Sequence, residues 1–141
     1  MHMTATWNVL LVEDNPGDVN LIRMCAERFP GVVVHHVPNA VQAHRFLLSQ
    51  HPFENSPTPD LVLLDLRMPI FDGATVLQSM QESSLLGSTP VVVFTSSTLL
   101  TDRVRCQELG ATSYVNKPAD WVAWQAKIHR ILKEHLKKFP G

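Results

Sequence analysis

The chain has 141 residues, of which 45% are hydrophobic and 18% charged, and its formal net charge is −1 with the seven histidines counted neutral. This length is typical of one domain that buries a core without disulfide or metal staples. The balanced charge argues against a nucleic-acid or membrane-surface binder, which normally carries a basic excess. The longest apolar runs are four residues, so we expect no membrane span.

Two features of the chain bear on its cellular setting. The first residues lack the charged-then-apolar pattern of a signal peptide, and we expect residues 1–7 to form an N-terminal tail. The two cysteines, Cys25 and Cys106, are far apart in sequence and fall in predicted helices, which favours reduced thiols. We therefore expect a cytoplasmic protein whose single domain spans residues 8–139.

Five short apolar runs recur along the chain and predict the strands of one sheet. Their first residues are separated by 23, 29, 30 and 23 positions, close to the roughly 30 residues of a strand plus its crossover helix. The runs are continuous rather than alternating, as in parallel strands that helices cover on both faces. The five runs are Val9–Val12, Val32–Val34, Leu61–Leu64, Val91–Phe94 and Tyr114–Val115.

Amphipathic segments between these runs predict five helices. Asp18, Asn39 and Asp120 are the candidate N-caps of the first, second and last helices, because their side chains can accept from first-turn N–H groups. The last helix is expected to run to about Lys138. The pattern predicts an α/β fold, a flavodoxin-like doubly wound five-stranded parallel sheet with helices on both faces. Expected inward positions of the third and fourth helices are Val76, Leu77, Met80, Val104 and Leu109.

Polar residues follow four of the five predicted strands. Glu13 and Asp14 follow the first strand, Asp65 follows the third, Thr95 follows the fourth, and Lys117 comes shortly after the fifth. Ligands of doubly wound sheets bind beyond the carboxyl ends of the strands, so these side chains are expected to converge at one edge.

Clustered carboxylates without a cation repel one another, and a hard divalent cation such as Mg²⁺ resolves that conflict with oxygen ligands. An ammonium and a hydroxyl beside the same carboxylate suit an aspartate that accepts a phosphoryl group, since such transfer depends on positioning and electrostatics. The plainer interpretation, that acids and a lysine decorate loop ends, suits any one of these residues better than all of them together.

These residues, in this order, resemble the receiver domain of two-component response regulators, over nearly the whole chain from Asn8 to about Leu136. Two further segments are similar to single-domain regulators that are paired with bacterial phytochrome histidine kinases. The motifs of the general resemblance are Glu13-Asp14, Asp65-Leu66-Arg67-Met68-Pro69-Ile70-Phe71-Asp72-Gly73, Thr95 and Lys117-Pro118; the two further segments are Glu13–Val19 and Pro57–Leu61.

The resemblance implies a phosphoacceptor and a magnesium site. Asp65 would accept the phosphoryl group. Asp14 and Asp65 would ligate Mg²⁺ directly, Glu13 would act through water, and the backbone carbonyl of Arg67 would complete the protein ligands.

The resemblance also assigns the groups that respond to phosphorylation. Lys117 would contact the phosphoryl group, aimed by a cis peptide bond between Lys117 and Pro118, which only X–Pro bonds adopt at low cost. Thr95 and Tyr114 match the switch pair of the family, in which the hydroxyl moves toward the phosphoryl group and the aromatic ring turns inward.

The expected partners follow from this assignment. A histidine kinase, of the phytochrome type, would supply the phosphoryl group. Because the chain ends about one helix after Lys117, we expect no output domain. We expect a homodimer through the fourth helix, the last strand and the last helix, where Leu99, Leu100 and Tyr114 lie, and neither nucleic acid nor membrane as a partner.

Two other function classes compete with this interpretation. A receiver-like module could bind proteins without being phosphorylated, but a degenerate member should have lost an acid or the lysine. A Mg²⁺-dependent phosphatase with an aspartate nucleophile usually needs a second acid two residues later, and Arg67 stands there instead. We therefore expect a signalling phosphoacceptor and not an enzyme.

Overall fold

The computed structural model describes residues 5–67, 73–83 and 88–140. Within these ranges, five parallel strands form one sheet in the order β2–β1–β3–β4–β5, which confirms the predicted fold class. The strands are β1 (Trp7–Val12), β2 (Val32–Val37), β3 (Leu61–Leu64), β4 (Val91–Thr95) and β5 (Ser113–Asn116). The helices are α1 (Pro16–Ala26), α2 (Ala40–Leu47), α3 (Ala74–Glu82), α4 (Leu100–Glu108) and α5 (Trp121–His135).

Successive strand residues point to opposite faces of the sheet, so each strand contributes to two cores. In β1, Leu10 and Val12 join the core with α2, α3 and α4, whereas Val9 and Leu11 join the core with α1 and α5. Trp124 belongs to the second core and lies edge-on to Phe94. Burial of a large apolar side chain contributes ~1.5–3 kcal/mol, so this double cover explains the continuous apolar runs.

Two of the three predicted N-caps are confirmed, and one is wrong. The side chain of Asn39 accepts from the N–H of Gln42, and that of Asp120 accepts from the N–H of Ala123. The cap of α1 is Asn15, not Asp18: the Asn15 side chain accepts from the N–H of Asp18, and Pro16 occupies the first turn. An asparagine followed by proline suits this start, because the proline lacks the N–H that the first turn leaves unpaired.

The two termini meet at the amino ends of the strands and correct two expectations. Trp7 belongs to β1 and not to a tail: its N–H donates to the carbonyl of Gly31, and its indole N–H donates to the carbonyl of Lys137. Helix α5 ends at His135 and does not reach Lys138, whose φ of 58° is left-handed. The chain turns there because Phe139 packs edge-on against the Trp7 ring.

One of the two inward positions expected for the fourth helix is confirmed and the other is wrong: Leu109, at the C-cap of α4, packs against the core, and Val104 does not. Val104 is exposed and Cys106 is buried. Positions two residues apart lie on nearly opposite sides of a helix, so only one of the two can face the sheet. Cys25 and Cys106 are both buried, and neither forms a disulfide. Among the described residues, no helix is long and apolar enough to cross a membrane.

Candidate functional site

The candidate site lies where β1 and β3 end, at the point where the strand order reverses. The N–H of Asp65 donates to the carbonyl of Val12 (3.0 Å), and the N–H of Glu13 donates to the carbonyl of Val37 (3.1 Å). These bonds continue the parallel ladder one residue past the strands, so the two acids stand side by side at the carboxyl edge. Such an edge is where doubly wound sheets bind their ligands.

Glu13, Asp14 and Asp65 form an acidic cluster in which one oxygen from each carboxylate lies within 4.8 Å of the others. Glu13 is 1% exposed and Asp65 is 5% exposed, whereas Asp14 faces solvent. Burial raises the pKa of Glu13 to about 7, against the opposing effect of its hydrogen bond from Lys117. The cluster therefore holds a carboxyl group that favours either a proton or a nearby cation.

Lys117 enters the cluster from the residue that follows β5. Its ammonium lies 2.7 Å from Glu13 Oε2, 2.7 Å from Asp18 Oδ2 and 3.3 Å from Asp65 Oδ2. Burial disfavours the charged ammonium, but hydrogen bonds to Asp18 and Glu13 and the charge of Asp65 outweigh it and raise the Lys117 pKa above its ordinary value. The lysine is therefore a permanent positive charge beside Asp65.

The backbone around Asp65 is tightly packed. The N–H of Gly73 donates to the carbonyl of Leu66, and a Cβ at Gly73 would lie 2.3 Å from the carbonyl oxygen of Asp65. Only glycine fits there, so the start of α3 packs directly against the segment that carries the acid. The N–H of Arg67 lies 3.3 Å from Asp65 Oδ1. Met68 to Asp72 of the sequence motif lie outside the described residues.

Thr95 and Tyr114 both contact Ser97, a residue that the sequence analysis did not single out. The N–H of Ser97 donates to Thr95 Oγ1 (3.2 Å), and the Tyr114 hydroxyl donates to the carbonyl of Ser97 (3.1 Å). The side-chain amide of Asn116 donates to the same carbonyl (2.6 Å). The guanidinium of Arg103 lies 5.4 Å from the centre of the Tyr114 ring. The segment after β4 therefore links Thr95 to Tyr114 through the hydrogen bonds of Ser97.

The expected cis peptide bond between Lys117 and Pro118 is wrong. Among the described residues, the cis peptide bond is His51–Pro52, and Lys117–Pro118 is trans. The trans form is the lower-energy one, and with it the Lys117 ammonium already reaches Glu13 and Asp65. The carbonyl of Pro118 also accepts from the Trp124 indole, which fixes this peptide against α5.

Three further residues of the site escaped the sequence analysis. Asp18, taken there as a cap, is an ion-pair partner of Lys117. His36 Nε2 lies 2.7 Å from the carbonyl of Glu13, so this nitrogen donates to the backbone of the acidic pair. Asn116 bonds the segment after β4. An asparagine–proline start followed by an acid in the first turn was the available signal for Asp18; nothing local marked the other two.

The donor set fits a hard divalent cation. Carboxylate oxygens are the ligands such ions prefer, and three of them converge here from two adjacent strand ends. A cation at this point would favour the ionised form of Glu13, whose burial otherwise disfavours its charge. The arrangement can thus hold one cation and one lysine against a buried aspartate, which suits transfer of an anionic group to that aspartate.

Comparison with known proteins agrees with this geometry. Residues 9–129 match the model of the response regulator receiver domain family. The response regulator Rcp1 of Synechocystis sp. is 35% identical over 113 residues, which cover 77% of this chain and 75% of that protein.

Solved structures extend the likeness to three dimensions. Mn²⁺-bound Rcp1 is 30% identical with a TM-score of 0.86, covering 96% of this chain and 99% of that one. The phosphorylated cyanobacterial phytochrome response regulator RcpA is 28% identical with a TM-score of 0.90, covering 97% and 100%. The bacteriophytochrome response regulator RtBRR is 33% identical with a TM-score of 0.75, covering 96% and 81%. With its fold, its acidic edge and its lysine in place, this chain belongs to the response regulator receiver domain family.

Proposed function

We propose that this chain is a phosphorylation-dependent response regulator in which Asp65 accepts a phosphoryl group from a histidine kinase. The observation that carries the proposal is the pairing of a 5%-exposed Asp65 with an ammonium 3.3 Å from its Oδ2. A buried aspartate with a purely structural role needs only one cation to balance its charge. Asp65 instead shares its lysine with Glu13 and Asp18. It also lies beside the solvent-exposed Asp14.

The transfer needs little from the protein beyond alignment and charge. A carboxylate oxygen of Asp65 attacks the phosphorus of the phosphohistidine, an O–P bond forms, and the N–P bond breaks with its electron pair remaining on the imidazole nitrogen. Lys117 stabilises the charge on the phosphoryl oxygens, and the Thr95 hydroxyl donates to one of them. Later attack of water on phosphorus returns the carboxylate and releases inorganic phosphate. The protein acts as a phosphoacceptor and turns over no separate substrate.

Mg²⁺ is the cation we assign to the acidic cluster. Asp14 and Asp65 would ligate it directly, Glu13 would act through water, and the carbonyl of Arg67 would be the remaining protein ligand. When bound, the ion supplies positive charge to the transferring phosphoryl group. The converging carboxylates support the assignment, and the related Rcp1 binds Mn²⁺, which shares the preference for oxygen ligands.

Thr95 and Tyr114 form the switch that reports phosphorylation. The shared contact with Ser97 supports this assignment, because movement of the Thr95 hydroxyl toward a phosphoryl group alters the bond from the Ser97 N–H. The carbonyl of Ser97 also accepts from the Tyr114 hydroxyl, so a movement of Ser97 would change the position of the Tyr114 ring.

A phytochrome-type histidine kinase is the partner we propose. RcpA and RtBRR, both described as response regulators of phytochromes, support this choice. Phosphotransfer from a phytochrome kinase should be much faster than from a histidine kinase of unrelated sensor type. Equal rates from both kinases would remove the support for this partner.

A homodimer through α4, β5 and α5 would give the switch a surface on which to act. Leu100 and Val122 are each 73% exposed there, and Leu99 is also exposed. A stable two-fold pair needs at least ~1,000 Å² of buried surface in total. Sedimentation at ~100 μM, with and without a phosphoryl mimic, tests this proposal. The dissociation constant of an interface of that size lies below that concentration, so the dimer should be populated. A monomer in every state would contradict it.

The competing function is a protein-binding module that works without phosphorylation. It predicts that Asp65 carries no covalent role. Our proposal predicts that acetyl phosphate with Mg²⁺ produces a phosphoryl adduct on the wild type and none on Asp65→Asn, since an amide is not a nucleophile. Intact-mass spectrometry measures the adduct, and circular dichroism checks that the nearly isosteric variant is folded. A full-strength adduct on Asp65→Asn would reject Asp65 as the acceptor.

A further inference from the structure

The lysine of the site is bound by more acids than its proposed role needs. An ammonium has three donors, and Lys117 directs them at Glu13, Asp18 and Asp65. The two flanking bonds are 2.7 Å long, whereas the bond to Asp65 is 3.3 Å. The ammonium is therefore held beside the acceptor carboxylate by its neighbours and is not seated on it.

Asp18 differs from the other two partners in its position. It lies in the first turn of α1, and its backbone N–H bonds to the Asn15 side chain, so its own carboxylate is not part of the cap. It does not belong to the acidic cluster of Glu13, Asp14 and Asp65. A cation bound by that cluster would compete with Lys117 for Glu13 and Asp65, but Asp18 would remain a partner of Lys117.

The pair is not an ordinary surface ion pair. The Lys117 side chain is 8% exposed and that of Asp18 is 24% exposed. Exposed pairs contribute little because water screens them, but a mostly buried lysine is costly without a fixed partner. Asp18 also lies in the first turn of α1, where the positive end of the helix dipole attracts a negative charge.

We propose that Asp18 is a positioning residue that holds Lys117 between itself and Glu13 and so keeps the ammonium from pairing closely with Asp65. This inference rests on the proposed function, because its purpose is to leave the Asp65 oxygens available for a cation and a phosphoryl group. Without the Asp18 charge, the lysine settles on Glu13 and Asp65, where it competes with the cation and blocks the nucleophile.

A double-mutant cycle on Mg²⁺ affinity tests the inference without any phosphorylation step. Calorimetry should show binding about five-fold weaker in Asp18→Asn than in the wild type, from increased competition by the lysine. In the Lys117→Met background, the same substitution should change the affinity by less than about 1.5-fold. Equal losses in both backgrounds, or no loss in either, would overturn the proposal, because Asp18 would then act through its own charge or not at all.

The rate of phosphorylation by acetyl phosphate at saturating Mg²⁺ provides a second readout. Asp18→Asn should be about three- to ten-fold slower than the wild type, and Asp18→Glu should recover part of that loss because it restores the charge. Glu108→Gln, which removes one exposed negative charge at the far end of α4, is the matched control and should change neither quantity. An unchanged denaturation midpoint in Asp18→Asn separates the effect from misfolding.

The two proposals fail in different ways. If the wild type takes up no phosphoryl group, the proposed function fails, and the Mg²⁺ cycle still decides whether Asp18 positions Lys117. If the wild type is phosphorylated but the rate of Asp18→Asn equals that of the wild type, the function stands and the role of Asp18 is rejected.

Discussion

The two ends of the sheet bury very different side chains. At the carboxyl ends of the strands, Glu13 and Asp65 are buried with Lys117, and the pKa of Glu13 is raised to about 7 by that burial. At the amino ends, Trp7 and Phe29 both pack against Phe139. The ring centre of Phe139 lies 5.6 Å from that of Trp7 and 5.1 Å from that of Phe29. Removing charges from water at the carboxyl ends destabilises the fold, whereas burying apolar rings at the amino ends stabilises it. Stability and chemistry are thus separated along the strands.

The largest expected loss of stability comes from the aromatic end. Trp7→Ala removes a large buried ring and its indole bond to the carbonyl of Lys137, and should lower the free energy of unfolding by about 3 kcal/mol. Trp7→Phe keeps a ring and should lose about 1 kcal/mol. Urea denaturation measures both. Acetyl phosphate should still label the folded Trp7→Ala protein at the wild-type rate, and a strongly slowed rate would mean that the two ends are not separate.

A smaller effect is expected at the acidic end, on cation binding instead of stability. Asp14→Ala removes one exposed carboxylate, which we propose as a ligand, and should weaken Mg²⁺ binding about ten-fold, as calorimetry would show. Because Asp14 faces solvent, the free energy of unfolding should change by less than about 0.5 kcal/mol. Glu108→Gln again controls for the loss of one charge, and unchanged affinity in Asp14→Ala would contradict the site.

The last expected effect is a pH dependence of the metal-free protein. Between the ordinary glutamate pKa of 4.5 and the folded value of about 7, folded Glu13 keeps a proton that the unfolded chain has lost. Raising the pH through this window therefore lowers the free energy of unfolding. Burial lowers the pKa of His35 and His135, which acts in the opposite direction.

The comparison of wild type with Glu13→Gln isolates the contribution of Glu13, because the histidines are common to both. The difference between the two should disappear in saturating Mg²⁺, since a bound cation favours the ionised carboxylate. An identical pH dependence in both metal-free proteins would show that Glu13 titrates normally.

The sheet was predictable because continuous apolar runs report burial on both faces. Trp7 was missed because Asn8 interrupts the run that follows it, and the contacts that bury Trp7 come from Gly31 and Lys137. The end of α5 was overestimated for a related reason. Lys137 and Lys138 continue a helical composition, but the packing of Phe139 against Trp7 ends the helix earlier.

The acidic edge was predictable because parallel strands bring their carboxyl ends together. The role of Asp18 was not, because its partner Lys117 is 99 positions away and meets it only in the folded chain, where the first turn of α1 lies next to the residue that follows β5. The bonds that Ser97 makes to Thr95 and Tyr114 likewise depend on the path of one loop. The local sequence therefore indicates which residues have reactive side chains. The tertiary structure decides which of them form hydrogen bonds or ion pairs with one another.

The position of the phosphoryl group in the wild-type protein is the most direct test of the central claim. After reaction with acetyl phosphate and Mg²⁺, borohydride reduction converts an aspartyl phosphate to homoserine, which peptide sequencing by mass spectrometry can locate. We expect homoserine at position 65 and at no other acid of the carboxyl edge. Homoserine at position 14 or 18, or a phosphoryl group found on a serine or histidine, would contradict it.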